Sequence, residues 1–149
     1  MTVRIQTARF DSGEEVRRLI AGRSDVGAVV TFTGLCRGEE GGRPLAALTL
    51  ETYAEMAEAE IGRLVGEARA RWPLQDVLVI HRHGRIPPGE EIVLVVCLSA
   101  HRRAAFEAAE FLMDYLKTRA PFWKSEETAT GERGWIAAKA EDDEAAERW

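Results

Sequence analysis

Residues 91–128, EIVLVVCLSAHRRAAFEAAEFLMDYLKTRAPFWKSEET, decide the fold. Their hydrophobic period changes twice. Glu91 to Leu98 is a continuous apolar run, too short for a buried helix and right for a strand covered on both faces. Ser99 then stands where a helix cap is expected. Beyond it, Ala105, Phe106, Ala109, Leu112, Met113 and Leu116 recur three and four apart, the spacing of one helix face. Pro121 stops that helix, because the residue before a proline is pushed out of the helical region. Trp123 to Thr128 reads as a strand again.

The same reading extends outward. Val3 to Thr7 is a short strand. Ser12 with Glu15 three residues later forms a capping box for a helix to about Ala21. GAVVTFTG (27–34) is a strand, and RGEEGGRP (37–44), with three glycines and no apolar residue, is a mobile loop. Leu45 to Tyr53 alternates as a strand. Ala54 to about Arg71 is a helix with Met56, Ile61, Leu64 and Ala68 on its core side, followed by Pro73. Val77 to His83 is a strand and RIPPGE (85–90) a turn. Trp135 to Ala138 is a short strand after Gly131, and Asp142 to Trp149 a terminal helix. Strands and helices are interspersed without strict alternation, so the expected class is α+β with two main helices.

At 149 residues the chain is expected to be one domain, 1–149, with a sizeable core. A net charge of −5 excludes general nucleic-acid binding, which needs a basic footprint. The two cysteines, Cys36 and Cys97, are too few for a disulfide scaffold, and a reducing cytoplasm is the expected location. The N-terminus lacks the apolar core of a signal peptide. The run IVLVVCL (92–98) is too short to span a bilayer. GEEGG precedes no GK[ST] and opens no helix, so no nucleotide or other cofactor is expected.

Charge marks the candidate site. Between His101 and Lys124, five cations (Arg102, Arg103, Lys117, Arg119, Lys124) face three anions, a net +2 inside a chain of net −5. A local reversal of sign in an acidic protein suits an anion site. His101 and Arg102 open the helix, where free N–H groups and the dipole attract anions. Solvated first-turn side chains would look the same. Lys117 and Lys124 flank its far end. Most lysines at a helix C-terminus simply meet the dipole. Lys124, however, follows Phe122 and Trp123, and desolvation by aromatic neighbours lowers a lysine pKa toward catalytic use. Arg37 opens the glycine-rich loop and reads as a mobile arm over an anion.

One geometric consequence follows. Arg102 and Lys117 lie 15 residues apart on one helix, which is about 22 Å. A single small-molecule pocket does not span that length. If both ends serve one site, two chains supply them, as in a symmetric dimer. His81 and His83, in the run HRH, share a strand face, with Cys97 on a neighbouring strand as a conceivable third metal ligand. Two histidines without a carboxylate cluster are weak evidence, and no metal is expected.

The run HRRAAFEAAEFLMDYLKTRAPFWKSE resembles the signature region of the catalytic (large) subunit of molybdopterin synthase. FTGLCR (32–37), LTLETY (48–53) and RWPLQDVLVIHRHGRIPPGEEIVLV (71–95) agree in order across most of residues 26–149. The resemblance implies an α/β-hammerhead fold with mixed and antiparallel sheets. It implies a sulfurtransferase that converts cyclic pyranopterin monophosphate into molybdopterin by inserting two dithiolene sulfurs. The sulfur donor would be the C-terminal Gly-Gly thiocarboxylate of a small ubiquitin-like subunit, bound to a homodimer within a heterotetramer. It also implies Lys117 and Lys124 as the catalytic pair. Leu35, Cys36, Arg37, His101, Arg102, Ser125 and Glu126 would bind substrate with them. The present chain carries no persulfide motif, which fits an external sulfur source. Two other functions compete. A non-catalytic module could bind a phosphate or an acidic tail through the same cations, and a zinc hydrolase could use HRH. Titration or selective acylation of Lys117 separates the first from an enzyme, and metal analysis separates the second.

Overall fold

The computed structural model describes residues 2–136 and 140–149. The first sheet is built on the longest apolar runs. β5 (Leu74–Arg82) and β7 (Glu91–Ser99) pair antiparallel at its centre, buried on both faces. β1 (Thr2–Gln6) adds parallel to β5, and β2 (Ala28–Leu35) adds antiparallel to β7. The strand order is β1-β5-β7-β2, so the sheet is mixed. The second sheet is antiparallel. It runs β3 (Glu39–Glu40), β4 (Arg43–Thr52), β8 (Phe122–Thr128) and β9 (Arg133–Ile136), with β6 (Gly84–Ile86) paired to β4.

Alternation along the first sheet sorts its two faces. Val77, Val79, Val93, Val95 and Cys97 point to one side. There α2 (Ala54–Arg71) contributes Ile61, Leu64 and Val65, and α3 (Arg102–Leu116) contributes Ala105, Phe111 and Leu112. Leu78, Ile80, Leu94, Val96 and Leu98 point to the other side, where α1 (Ser12–Ile20) covers them with Val16 and Leu19. α4 (Ala140–Glu147) leads to Trp149, whose ring meets Trp72 and Phe111 edge-on. Phe111 is fully buried at that junction, so truncation to alanine there would cost about 3–5 kcal/mol.

Both main helices and every expected strand are present among the described residues, except that Ala137 and Ala138 of the expected Trp135–Ala138 strand lie outside them. Several local expectations are corrected. Asp11, not Ser12, caps α1: its carboxylate accepts from the Glu14 amide at 3.0 Å. Ser12 instead donates to Glu91, and Glu15 pairs with Arg4, so the two capping-box residues are spent on tertiary contacts. Ser99 does not cap α3; its hydroxyl donates to the Pro73 carbonyl, and His101 occupies the cap without a side-chain bond. The inward face of α3 includes Phe111 and Tyr115, while Phe106 is 60% exposed. On α2, Ala57 is buried and Met56 faces outward. In both helices the true face is rotated by about one residue, because the sheet and the partner helix cover more than one stripe.

The glycine-rich segment is a hairpin rather than a shapeless loop. Glu40 faces Arg43 across a two-residue turn of Gly41 and Gly42, with φ of 59° and 78°. Two successive positive φ values are what such a tight hairpin turn requires, and glycine adopts them without steric cost. No helix of the described residues is long and apolar enough to cross a membrane.

Candidate active site

α3 begins where β7 ends and runs back over β7 and β2, so its two ends reach opposite ends of the first sheet. At its start, His101 and Arg102 are both exposed. Their neighbour in the sheet is the first turn of β2, where Ala28 faces Ser99. Gly27 passes so close that an added Cβ would lie 2.1 Å from the Ala100 carbonyl oxygen. Bare backbone at residue 27 is therefore what sets the chain entering α3.

At its finish, Lys117 is the C-cap, exposed, with its amide donating to Met113. The chain turns through Thr118–Ala120 and returns as β8. In β8, Phe122, Lys124 and Glu126 share one face, opposite Thr52, Leu50 and Leu48 of β4. Lys124 is half-buried, in keeping with the water exclusion expected of it, whereas Lys117 is exposed. Trp123 lies on the other face, edge-on to Tyr53 at 6.0 Å. Ser125 is buried between Thr49 and Trp135 in register. The Thr52 hydroxyl donates to the Pro121 carbonyl at 2.7 Å and ties the turn to β4.

His81 lies at this end as well. It continues the inward row Val77, Val79 of β5, where a valine would be expected, and stacks on Phe122 with centroids 3.9 Å apart. Burial pushes this imidazole down to about 4. Its bond to the Arg82 carbonyl opposes the fall, and the charges of Lys124, Lys117 and then His83 deepen it. Both lysines therefore lie within electrostatic reach of one buried ring.

The third element at this end is the exit of β2. Leu35, 55% exposed, faces Glu91, at the same end of the sheet as the His81–Val93 pair. Cys36 is buried with Leu50 and Ile86, and its thiol approaches the Ile86 carbonyl at 3.5 Å. Burial pushes that thiol up, and the charges of Glu126 and Glu90 push it further, which removes Cys36 as a nucleophile. Its backbone is clamped by the β6–β7 turn: the Cys36 amide donates to Glu90, and Gly89 donates to the Cys36 carbonyl. Glu90 in turn pairs with buried Arg82 at 2.9 Å. Arg37 emerges exposed and pairs with Glu40 of the hairpin.

Within one chain the expected residues thus fall into two groups. Leu35, Cys36, Arg37, Lys117, Lys124, Ser125 and Glu126 gather at one end. His101 and Arg102 lie at the other, a β7 length of nine residues away, about 27 Å. The antiparallel register sets Arg37 apart from His101 and Arg102 of the same chain. The HRH metal reading also fails on register, since His81 faces Val93 whereas Cys97 faces Val77. His83 lies beyond β5, and among the described residues no three His, Cys, Asp or Glu side chains are grouped for a metal. What sequence reading missed is the place of His81. The signal was available in the interruption of an inward valine row by a polar ring.

Residues 5–119 match the family described as MoaE protein, and the chain belongs to that family. A molybdopterin synthase catalytic subunit of Mesorhizobium japonicum is 64% identical over 149 residues, covering 99% of this chain and 92% of that protein. The molybdopterin biosynthesis MoaE protein of Burkholderia ambifaria superposes with a TM-score of 0.83 at 44% identity, covering 99% of this chain and 97% of its own. A molybdopterin synthase crystal structure from Staphylococcus aureus gives 0.82 at 29% identity over 90% and 96% of the two chains.

Proposed function

We propose that this chain is the catalytic subunit of a molybdopterin synthase and that its chemistry is carried by Lys117 and Lys124. The observation that supports the site is that Lys117, the C-cap of α3, and half-buried Lys124 on the returning strand β8 fall at one end of α3, beside the exit of β2. The substrate is cyclic pyranopterin monophosphate, and two sulfurs enter it as a dithiolene. Each transfer leaves a carboxylate where the carrier held a thiocarboxylate. An exposed lysine beside a half-buried one suits that reaction: the pair holds the anionic tail and moves the protons that the exchange requires. Glu126, on the same strand face as Lys124, is placed to orient it.

Residues 1–149 act as one domain, in the cytoplasm, with a small ubiquitin-like partner ending in Gly-Gly. The large subunits form a homodimer inside a heterotetramer. The separation of His101 and Arg102 from the lysine end supports a composite site in which one chain supplies Arg37 and the lysines and its twin supplies His101 and Arg102 for the substrate phosphate. Two hollows lie on the surface of the single chain. They lie between β1 and α2 and beside Tyr115 and Asp143, and neither is lined by the candidate residues.

The test is single turnover with a thiocarboxylated partner. Lys117→Ala should fold normally, because an exposed truncation costs little stability, bind the partner and make no molybdopterin. More than about a tenth of wild-type product would remove Lys117 from the chemistry, since a group central to proton transfer is worth 10²–10⁴ in rate.

A further inference from the structure

Arg82 is a buried cation that the sulfur-transfer scheme does not use. It follows Leu78 and Ile80 in the row of β5 that faces α1, where an aliphatic side chain would continue the packing. Its side chain is 6% exposed, so it does not meet a substrate. A buried ion pair is often no more stabilising than apolar residues of similar volume, so stability alone does not account for the guanidinium. Its bonds do. Nη1 donates to the Glu90 carboxylate at 2.9 Å, and Nε donates to the Thr7 carbonyl at 3.3 Å. Arg9 reaches the same Glu90 oxygen from the surface at 3.3 Å. The guanidinium therefore ties the chain leaving β1 to the residue just before β7.

Glu90 passes that hold to the exit of β2. The pairing of β2 with β7 slips between Gly34 and Leu35, so the ladder does not set the direction of the residues beyond. Two bonds from the β6–β7 turn do. The Cys36 amide donates to the Glu90 carbonyl at 2.9 Å, and the Gly89 amide donates to the Cys36 carbonyl at 2.8 Å. The turn is itself stiff. Its Glu90 amide donates to the Pro87 carbonyl at 3.3 Å, Pro87 and Pro88 have fixed φ, and Gly89 takes a φ of 84°. Arg37 is the next residue, with its side chain exposed. Beyond it the Gly38 carbonyl accepts from the Leu45 amide at 2.9 Å. Residue 37 thus leaves from a backbone held on both sides. We propose that Glu90, fixed by Arg82, is a positioning residue for Arg37, acting on substrate only through the Cys36 backbone that aims the Arg37 side chain. The proposal rests on the reading of Arg37 as a contact to the substrate for its consequence in activity, but not for its geometry.

The test combines Arg82→Met and Glu90→Met in the full chain, which removes both charges and keeps a similar volume. In native-state hydrogen exchange the Cys36 amide should exchange about tenfold faster or more than in wild type, while the paired Val79 and Val95 amides at the sheet centre keep their rates. In turnover with the partner, KM for cyclic pyranopterin monophosphate should rise about fivefold or more with kcat within about twofold, the pattern of lost binding rather than lost chemistry. A merely structural ion pair would change stability without that split. Adding the double substitution to Arg37→Ala should raise KM no further, because no side chain is left to aim. An unchanged Cys36 exchange rate, an unchanged KM, or an effect that persists in full on the Arg37→Ala background overturns the proposal. If the double variant fails to fold, Glu90→Gln, which keeps an acceptor for Arg82, is measured in the same two ways. Smaller shifts in the same directions are expected there, and wild-type values for both overturn the proposal. A wild-type KM in Arg37→Ala would instead sink the substrate reading of Arg37, while the exchange of Cys36 still decides whether the turn holds the exit of β2.

Discussion

The two ends of α3 carry cations in opposite surroundings. At the start, His101 and Arg102 are exposed, the cap has no side-chain bond, and the nearby backbone is held by bare Gly27. At the finish, the lysines are backed by a stacked His81–Phe122 pair, a tied Pro121 turn and a second sheet. The first arrangement gives open positive potential and free backbone donors, which suits holding an anion. The second gives fixed geometry beside a dry ring, which suits moving protons. In the composite site proposed above, one helix separates binding from chemistry by its own length, and two chains complete the site.

The sharpest way to break this comparison is subunit mixing. With substrate well below KM, Arg102→Ala and Lys117→Ala homodimers should each be nearly inactive. After subunit exchange, half the dimers are mixed and each holds one intact site, so activity should return to about a quarter of wild type. No recovery after proven exchange would place both ends of α3 in one chain's site. The next effect concerns the buried ring. The unfolded imidazole titrates near 6.5 and the folded one at about 4. Above 6.5 both are neutral and the group adds no pH dependence. As pH falls between those values, the unfolded chain gains a proton that the folded chain refuses, and stability drops by an amount on the order of 3 kcal/mol. Urea unfolding at stepped pH should show this loss in wild type and not in His81→Phe; identical acid slopes would mean that the ring is charged in the fold.

Two smaller effects sharpen the binding end. Arg102→Ala and Arg37→Ala should each weaken substrate binding by about 1.5–3 kcal/mol, the worth of a hydrogen bond to a charged group, or one to two decades in affinity. An unchanged KM in both would move the phosphate elsewhere. Gly27→Ala forces a Cβ against the Ala100 carbonyl. It should cost about 1–3 kcal/mol in stability, as overpacking does, and raise KM by shifting the entry to α3. The titration of His81 should be untouched, and a shift there would show that the two ends are mechanically coupled.

What could be read from sequence follows from what has a period. The apolar runs of β5 and β7 and the three-four spacing of α3 are strong local signals, and both gave the elements within a few residues. The cations at the ends of α3 were visible as a reversal of charge. What was not visible depended on register. Nothing local shows that Leu35 faces Glu91 while Ala28 faces Ser99, so the end of α3 at which Arg37 emerges was not visible. Ser12 looked like a cap because its residue type fits, but Glu91, 79 positions away, took its hydroxyl. His81 looked like half of a metal pair because HRH is a spacing, whereas its role depends on a stack with a strand forty residues later.

The pairing of β4 with β8 also bears on how the molecule is made. Ile80 faces Leu94 across a short connection, whereas Leu50 faces Lys124 across more than seventy residues. Closing a long loop costs more entropy than closing a short one, and distant pairings are slow to form. The central hairpin of β5 and β7 therefore has the head start, and the strand bearing the second lysine joins a core that is already in place. A nascent chain has its scaffold before it has its chemistry, and the spacing of the two lysines is the last dimension to be set.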